Sequence, residues 1–308
     1  MPWQRSGPAQ PEDVDRLFTV AEDVAMREGA SPAAVQAARV AIDAARALAA
    51  RTGTREDRGR LLRALGRQAV NRALTGSGRV AGSGSPVEQV VALAHELLAE
   101  PVTDGTDDPV RAEALIRLGQ ASQIVAATDP VRGRELAEQA WLALGSDPPA
   151  GSELRRARAA ILSVRVQNQL ADVIEGLGAG RPVDLDGPLA LAAEGVDLQR
   201  AVGLADGADT SLYDLAEALG TLGRAALAAQ NLELASQAWA EELSILMSFD
   251  GPAARKLFTE VAGRLGKLQE LAPQLQVVVP GPNAWRSTSS YLDRLPRPGP
   301  GNSPGSPR

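Results

Sequence analysis

The sequence predicts an all-α protein, and three observations support that prediction. Apolar residues recur at i, i+3, i+4 and i+7 through most of the chain, which is the pattern of one buried helix face. Ser-Pro and Asp-Pro pairs open several segments as an N-cap followed by proline in the first helical turn. The only β-branched run, Val277–Val279, is followed by Pro280 and Pro282, so it does not predict a strand.

Eleven helices follow from this pattern. Glu12–Glu28 shows the amphipathic spacing, and Ser31-Pro32, Asp108-Pro109 and Asp129-Pro130 are typical helix starts. The predicted helices are Glu12–Glu28, Ala33–Arg51, Arg55–Leu74, Pro86–Ala99, Val110–Ala127, Val131–Leu144, Ser152–Glu175, Leu189–Leu204, Ser211–Ala229, Leu232–Ser248 and Pro252–Leu271.

The domain organisation follows from the composition at the two ends. We expect residues 1–11 to form a disordered arm and residues 12–272 to form one helical body. Residues 273–308 are rich in Pro, Gly and Ser, and such a segment has too little apolar surface to fold. We therefore expect this tail to be disordered.

Composition and charge exclude several kinds of site and partner. The 308 residues include no cysteine and one histidine, His95, so the chain has no disulfide, no thiolate and no multi-histidine metal site. The net charge of −6 disfavours nucleic acid or an anionic membrane as the main partner. The first ten residues lack the apolar core of a secretory signal, and no apolar run reaches the roughly 18–20 residues of a membrane span. We expect a cytoplasmic protein.

Several motif fragments could carry chemistry, and each lacks an essential part. His95 begins a segment like HExxH, but Ala99 stands where the second histidine would be needed. Gly76–Ser85 follows no predicted strand and contains no GK[ST], so it predicts a connector rather than a phosphate loop. Asp104–Asp108 and Asp184–Gly187 are incomplete calcium loops and are more simply turns. We therefore predict no metal, no cofactor and no catalytic residues.

Charged clusters on helix faces are the remaining candidates for a polar site. The arginine clusters are Arg60, Arg63 and Arg67 in one helix and Arg155, Arg158 and Arg165 in another. Arginine binds carboxylates and phosphates through paired hydrogen bonds, so a cluster could hold an acidic peptide or a phosphate. The alternative, which we favour, is a solvated stripe paired with nearby acids. We interpret Glu241-Glu242 as a solvated face as well.

A six-residue stretch occurs twice. Leu136–Trp141 reads LAEQAW and Leu234–Trp239 reads LASQAW. The two tryptophans are 98 positions apart, close to three repeat units of about 33 residues. Each stretch follows a predicted helix that contains a Leu-Gly pair.

These stretches resemble the tetratricopeptide (TPR) repeat, which has Leu-Gly on its first helix and Ala, then an aromatic residue, on its second. The matching residues are Leu118, Gly119, Ala137 and Trp141 in the earlier unit and Leu222, Gly223, Ala235 and Trp239 in the later one. The earlier unit departs from the pattern by extra residues around Thr128–Arg132. The resemblance implies a right-handed superhelix of about five antiparallel hairpins plus a terminal helix, with both tryptophans filling space between hairpins. A compact helical bundle in which the stretch recurs by chance is the alternative.

The resemblance also implies a function. In TPR proteins the first helices line a concave groove that holds a peptide or a partner's helix. The matching groove positions are Glu113, Ile116, Gln120 and Gln123 in the earlier unit and Glu217, Gly220, Arg224 and Leu227 in the later one. We expect a non-catalytic interaction scaffold for a protein or peptide, in a bacterial signalling or regulatory system. The alternatives are a ligand- or peptide-sensing regulatory domain and an acid–base enzyme, which would need converging buried carboxylates.

Overall fold

The computed structural model describes residues 9–29, 31–75, 84–101, 108–145, 151–206, 209–249 and 251–275. Within these ranges the chain contains eleven α-helices and no strand, as predicted. The helices are α1 Pro11–Glu28, α2 Pro32–Thr52, α3 Arg55–Thr75, α4 Pro86–Ala99, α5 Pro109–Ala126, α6 Pro130–Leu144, α7 Ser152–Gly178, α8 Asp186–Asp206, α9 Asp209–Ala228, α10 Leu232–Leu246 and α11 Pro252–Leu271. Residues 1–8 and 276–308 lie outside the described residues, so the expected disorder of the arm and tail stays a prediction.

Capping side chains fix the starts of several helices. Ser31, Asp108 and Asp129 each accept a hydrogen bond from the backbone N–H three residues on, and each precedes a proline. The sequence predicts that α8 begins at Leu189, three residues later than in the structure. The helix begins at Asp186 because Asp184 Oδ1 accepts hydrogen bonds from the backbone N–H groups of Asp186 and Gly187 at 3.0 Å.

The odd-numbered helices form a row of their own. Consecutive helices pack side by side, and in addition α1 contacts α3, α3 contacts α5, α5 contacts α7 and α7 contacts α9. Within the described ranges, pairs of even-numbered helices make at most marginal contact with one another. In addition, α1 contacts α11, so the first and the last helix of the described structure meet.

Two apolar clusters form the core, and α7 belongs to both. Its first half contributes Ala157 and Ile161 to the cluster of α1–α6, and its middle contributes Val166 and Leu170 to the cluster of α8–α11. Each fully buried aliphatic side chain contributes about 1.5–3 kcal/mol to folding. The shared helix therefore ties the two halves of the row together.

The two tryptophans of the repeated stretch lie in different surroundings. Trp239 is 2% exposed and packs on Gly223 within its own hairpin. Trp141 is only half-buried, and the guanidinium groups of Arg158 and Arg165 lie 5.2 Å and 4.3 Å from its ring centre. The expectation that both indoles are equivalent plugs between hairpins is therefore corrected, because α7 covers Trp141 with arginines.

The glycines of the two units differ in the same way. Gly119 faces Ile161 and Val164 of α7, whereas Gly223 faces Trp239 of its own hairpin. In the earlier hairpin the close crossing is made by Gly133, where a Cβ would lie 2.5 Å from the Cβ of Ala126. The other residues of the resemblance are buried in both units: Leu118, Ala137, Leu222 and Ala235.

Candidate functional site

Predicted groove residues of α5 take part in a charged network. Glu113 accepts from Arg63 of α3 at 3.1 Å and from Arg117 of α5 at 2.6 Å. Arg117 also donates to Gln120 Oε1 at 2.8 Å. Burial alone would raise the pKa of Glu113, but the two guanidinium groups outweigh burial and the pKa is lowered. Glu113 is therefore ionised and links α3 to α5.

Two further predicted groove residues of α5 have partners within the fold. Ile116 is partly buried and packs against the apolar cluster of the N-terminal half. Gln123 donates to Gln167 of α7 at 3.2 Å. These two side chains therefore contribute to the packing of α5, as Gln120 does through its hydrogen bond with Arg117.

The predicted groove residues of α9 are partly open to solvent. Leu227 is 38% exposed, and Arg224 is partly buried and donates to Thr221 at 3.0 Å. Glu217 is exposed, yet its pKa is raised, mainly by desolvation and also by Asp214. The pKa of this carboxyl group is therefore raised by neighbouring protein atoms although part of its surface is open to water.

Side chains on α9 also interact electrostatically with side chains on α3, α5 and α7. The pKa of Tyr213 of α9 is raised mainly by burial, and Arg67 of α3 opposes that rise. Arg156 of α7 pairs with Asp214 of α9 at 3.1 Å. Since α3 and α9 are not neighbours in the row, their side chains face a common space. We call this surface the inner face, and its residues are Glu22, Arg67, Glu113, Arg117, Gln120, Arg156, Tyr213, Asp214, Glu217, Arg224 and Leu227.

The first arginine cluster divides into paired and unpaired members. Arg60 bonds to Asp15 at 3.1 Å and to Asp57 at 2.7 Å, and Arg63 bonds to Glu113. Arg67 forms no ion pair within 4.0 Å and no side-chain hydrogen bond among the described residues, and its Nε is buried without an acceptor. The preferred interpretation of a paired stripe therefore holds for two of the three arginines.

Desolvation shifts the titration of Arg67 and its neighbour Glu22. The pKa of Arg67 is lowered by burial, with Glu22 opposing and Arg117 adding to the effect. The pKa of Glu22 of α1 is raised by burial, although Arg67, Arg117 and Arg63 act to lower it. Both groups are held in a setting that disfavours their charge.

The second arginine cluster is paired in the way the sequence favours. Arg158 donates to Glu194 at 2.7 Å, and Arg165 lies 3.9 Å from Glu138. Both also lie over Trp141 as cation–π partners. Arg158 and Arg165 therefore join α6, α7 and α8, although Nη1 of Arg158 is buried without an acceptor among the described residues.

Glu242 is buried, although the sequence predicts that it lies on a solvated helix face. The expected solvated face exists only for Glu241, which pairs with Arg200 at 2.5 Å. Glu242 is 1% exposed, because α10 turns it onto α9, where a Cβ at Gly220 would lie 2.7 Å from Oε1. Its Oε2 is buried and has no hydrogen-bond partner among the described residues.

Burial dominates the chemistry of Glu242. Desolvation raises its pKa to about 7, against the opposing charges of Arg264 and Arg224, and Glu217 and Glu260 add to the rise. The sequence does contain a signal for this contact. Gly220 and Gly223 are three residues apart on α9, the same spacing as Trp239 and Glu242 on α10, so each glycine receives one large side chain.

The motif fragments carry no assembled site in the described residues. His95 is exposed and lines a shallow depression of about 530 Å³ between α4 and α6, together with Val91, Asp129 and Glu135. In the residues that the structure describes, no group of three or more acids and histidines could hold a metal ion. No helix in the same ranges is long and apolar enough to cross a bilayer. Most of Gly76–Ser85 and of Asp104–Asp108 lies outside the described residues.

Comparison with known proteins gives no relative from which a role could be transferred. No protein-family model, no curated protein and no solved structure matches the chain. A proposal for its function therefore depends on the inner face itself.

Proposed function

We propose that this protein is a non-catalytic interaction scaffold that holds an extended peptide or a partner's helix against the inner face. The observation that supports the proposal most is that charged side chains from α1, α3, α5, α7 and α9 act on one another along the row of odd-numbered helices. An extended ligand that follows this row would touch one helix after another. In this proposal the hairpins form a right-handed superhelix of the TPR kind.

Unpartnered charge on the inner face supports a binding role over a purely structural one. A buried charge without a partner destabilises the folded state, so proteins usually pair such groups. Arg67 has no partner among the described residues, whereas Arg60 and Arg63 on the same helix are both paired. A peptide supplies backbone amides and charged side chains, and both can complete the missing hydrogen bonds.

The experiment is a selection of peptides by display on the immobilised full chain, followed by affinity measurements on inner-face variants. We expect Gln120→Ala combined with Arg224→Ala to weaken a selected peptide at least about 10-fold, as loss of hydrogen bonds to charged groups does. Arg39→Gln on α2, whose side chain is 71% exposed, is the control and should leave the affinity unchanged. Peptides that bind all three proteins equally would contradict the proposal.

A second candidate, acid–base chemistry, is favoured by one specific observation. Asp214, Glu217 and Glu242 all have raised pKa values, mainly through desolvation, and all three act on Tyr213. A carboxyl group that titrates near neutral pH is suited to general acid–base catalysis. Hydrolysis of chromogenic glycosides and esters, abolished in Glu217→Gln and unchanged in Glu241→Gln, would favour this candidate. The absence of turnover by the wild-type protein would leave the scaffold proposal preferred.

A further inference from the structure

We propose that Arg67 is the anchor of the inner face and that it binds a carboxylate group on an acidic side chain of the bound peptide. The inference rests on the proposed function, because it names the chemistry of the ligand that the inner face would hold.

The neighbours of Arg67 on α3 show what a satisfied arginine looks like in this fold. Arg60 has carboxylate partners on α1 and on its own helix, and Arg63 has Glu113 of α5. Arg63 also lies 5.2 Å from the ring centre of Phe18. Arg67, one turn further along the same face, forms no ion pair and no side-chain hydrogen bond among the described residues. Its buried Nε lacks an acceptor, as does that of Arg55 and Arg58, but those two arginines have carboxylate partners for their other nitrogens. Since a guanidinium does not give up its proton at physiological pH, the unmet requirement is for an anion.

A second guanidinium reinforces the positive potential beside Arg67. The side chain of Arg117 crosses α3 over Gly66, where a Cβ would lie 2.9 Å from its Nε. Glycine at this position leaves the room that Arg117 needs to lie next to Arg67. Arg117 is itself bonded to Glu113 and Gln120, so it stays in place when a ligand is absent.

Glu22 does not take the place of the missing anion. Its charge attracts Arg67, but the two groups do not come within 4.0 Å, the distance of an ion pair, in the described structure. Burial raises the pKa of Glu22, which favours the neutral carboxyl. Arg67 therefore has no carboxylate partner among the described residues.

The surrounding charges favour a carboxylate over a phosphate. Glu22 interacts electrostatically with Arg67 and Arg117, and Glu113 is bonded to Arg117 and adds to the raised pKa of Glu22. A phosphate group carries close to two negative charges at neutral pH, whereas a carboxylate carries one. The repulsion from the neighbouring acids is therefore larger for phosphate, and an aspartate or glutamate side chain is the better fit.

The first test uses small anions and the wild-type protein, so it depends on no variant and no peptide. The full chain is labelled with ¹⁵N, and the arginine Nε–Hε signals are followed by NMR during titration with sodium acetate, sodium phosphate or sodium chloride. The signal of Arg67 is assigned by its loss in Arg67→Lys. We expect a saturable shift of this signal with acetate that is larger than with chloride or phosphate. Arg134, an exposed arginine paired with Asp172, is the internal control and should move little.

Two outcomes of this titration would overturn the inference. Equal movement of Arg67 and Arg134 with all three salts would show that Arg67 binds no anion selectively. A stronger response to phosphate than to acetate would contradict the assignment of a carboxylate ligand.

The second test uses the peptides selected for the inner face. We expect replacement of their acidic residue by its amide to weaken binding to the wild type about 10- to 100-fold, as loss of a hydrogen bond to a charged group does. Arg67→Gln should show the same loss with the acidic peptide and no further loss with the amide peptide, because the two changes remove one interaction. Circular dichroism of Arg67→Gln checks that the variant is folded.

The outcomes separate the two proposals. Suppose that Arg67→Gln binds the selected peptides as tightly as the wild type, while the variant with Gln120→Ala and Arg224→Ala binds them more weakly. This result would contradict the role of Arg67 and leave the scaffold proposal intact. A selective acetate shift at Arg67, with no selected peptide sensitive to any inner-face variant, would leave an anion site on a protein that does not use it for peptides.

Discussion

Gly223 of α9 lies directly beneath the indole of Trp239 on α10. A Cβ at this glycine would lie 2.5 Å from Cδ1 and 2.7 Å from Cε2 of the ring. Glycine to alanine in a helix interior ordinarily stabilises by roughly 0.5–1 kcal/mol. At this position we expect the opposite, because the rigid ring has to move, and overpacking of this kind destabilises by about 1–3 kcal/mol. Urea unfolding of Gly223→Ala measures the effect.

The matched control for this prediction is Gly263 of α11. A Cβ there meets no atom within 4 Å, so Gly263→Ala removes only the flexibility of glycine. We expect this variant to be stabilised by up to about 1 kcal/mol. If Gly223→Ala behaved like Gly263→Ala, the close packing of α9 on α10 would be wrong.

The two tryptophans of the repeated stretch should differ in their contribution to stability. Trp239 is 2% exposed, and Trp239→Ala should lower the free energy of unfolding by about 3–5 kcal/mol. Trp141 is half-buried, so Trp141→Ala should lower the free energy of unfolding by a clearly smaller amount. Chemical denaturation of both variants at one pH checks the difference. Equal losses would indicate that the two indoles are equivalent after all.

The sequence predicts the helices well because their signals are local. The Ser-Pro and Asp-Pro starts depend only on neighbouring residues, and Ser31, Asp108 and Asp129 all cap as predicted. The different surroundings of Trp141 and Trp239 depend on which helix packs next. LAEQAW and LASQAW are nearly the same, so the stretch itself contains no information about the arginines that α7 places over Trp141.

The candidate site was partly predictable for the same reason. The TPR resemblance places Glu113, Gln120, Glu217 and Arg224 on the first helices of two hairpins, and these helices are α5 and α9 of the structure. Within α3, Asp57 marks Arg60 as paired, but nothing in this helix distinguishes Arg67 from Arg63, because the acceptor of Arg63 comes from α5. The burial of Glu242 likewise depends on a glycine of the neighbouring helix.

Glu242 should make stability depend on pH between acid and neutral conditions. Its pKa is about 7 in the folded protein and 4.5 as an ordinary glutamate, so the folded state binds the proton more tightly. The stabilisation is present in full below about pH 4.5 and is lost as the pH rises to about 7, by roughly 3 kcal/mol in total. Glu242→Gln should remove the part of this dependence that comes from Glu242 and leave the part from Glu22, Asp214 and Glu217, whose pKa values are also raised. Unfolding curves at a series of pH values measure it.

Glu241→Gln is the control for the pH dependence. Glu241 is adjacent in sequence and pairs with Arg200. Its replacement should therefore leave the dependence of the free energy of unfolding on pH unchanged. If the dependence of stability on pH in Glu242→Gln were as steep as in the wild type, the assignment to Glu242 would be wrong.

Asp108 should be the most important helix cap in the protein. It is 5% exposed, accepts from the N–H of Arg111, and receives two hydrogen bonds from Arg55 of α3 at 2.8 Å. Asp108→Ala leaves Arg55 without this partner, and loss of a buried ion pair costs about 3–5 kcal/mol. Asp129→Ala removes an exposed cap and should cost about 1 kcal/mol. Similar losses at both sites would contradict the role of the ion pair.

The same carboxylate should contribute to acid denaturation. Burial would raise the pKa of Asp108, but the hydrogen bonds from Arg55 and Arg111 outweigh burial and lower it. A lowered pKa gives a stabilisation that is present at neutral pH and is lost as the pH falls through the acidic range. Asp108→Asn should therefore lose stability at pH 7 and approach the wild type in acid.

The most direct test of the inner face is the position of a bound peptide. A selected peptide that carries a photoreactive benzoylphenylalanine is irradiated on the full chain, and the cross-linked residues are identified by mass spectrometry. The account predicts adducts on α5 and α9, near Gln120 and Leu227. Adducts concentrated on α4 and α6, around the depression that contains His95, would contradict it.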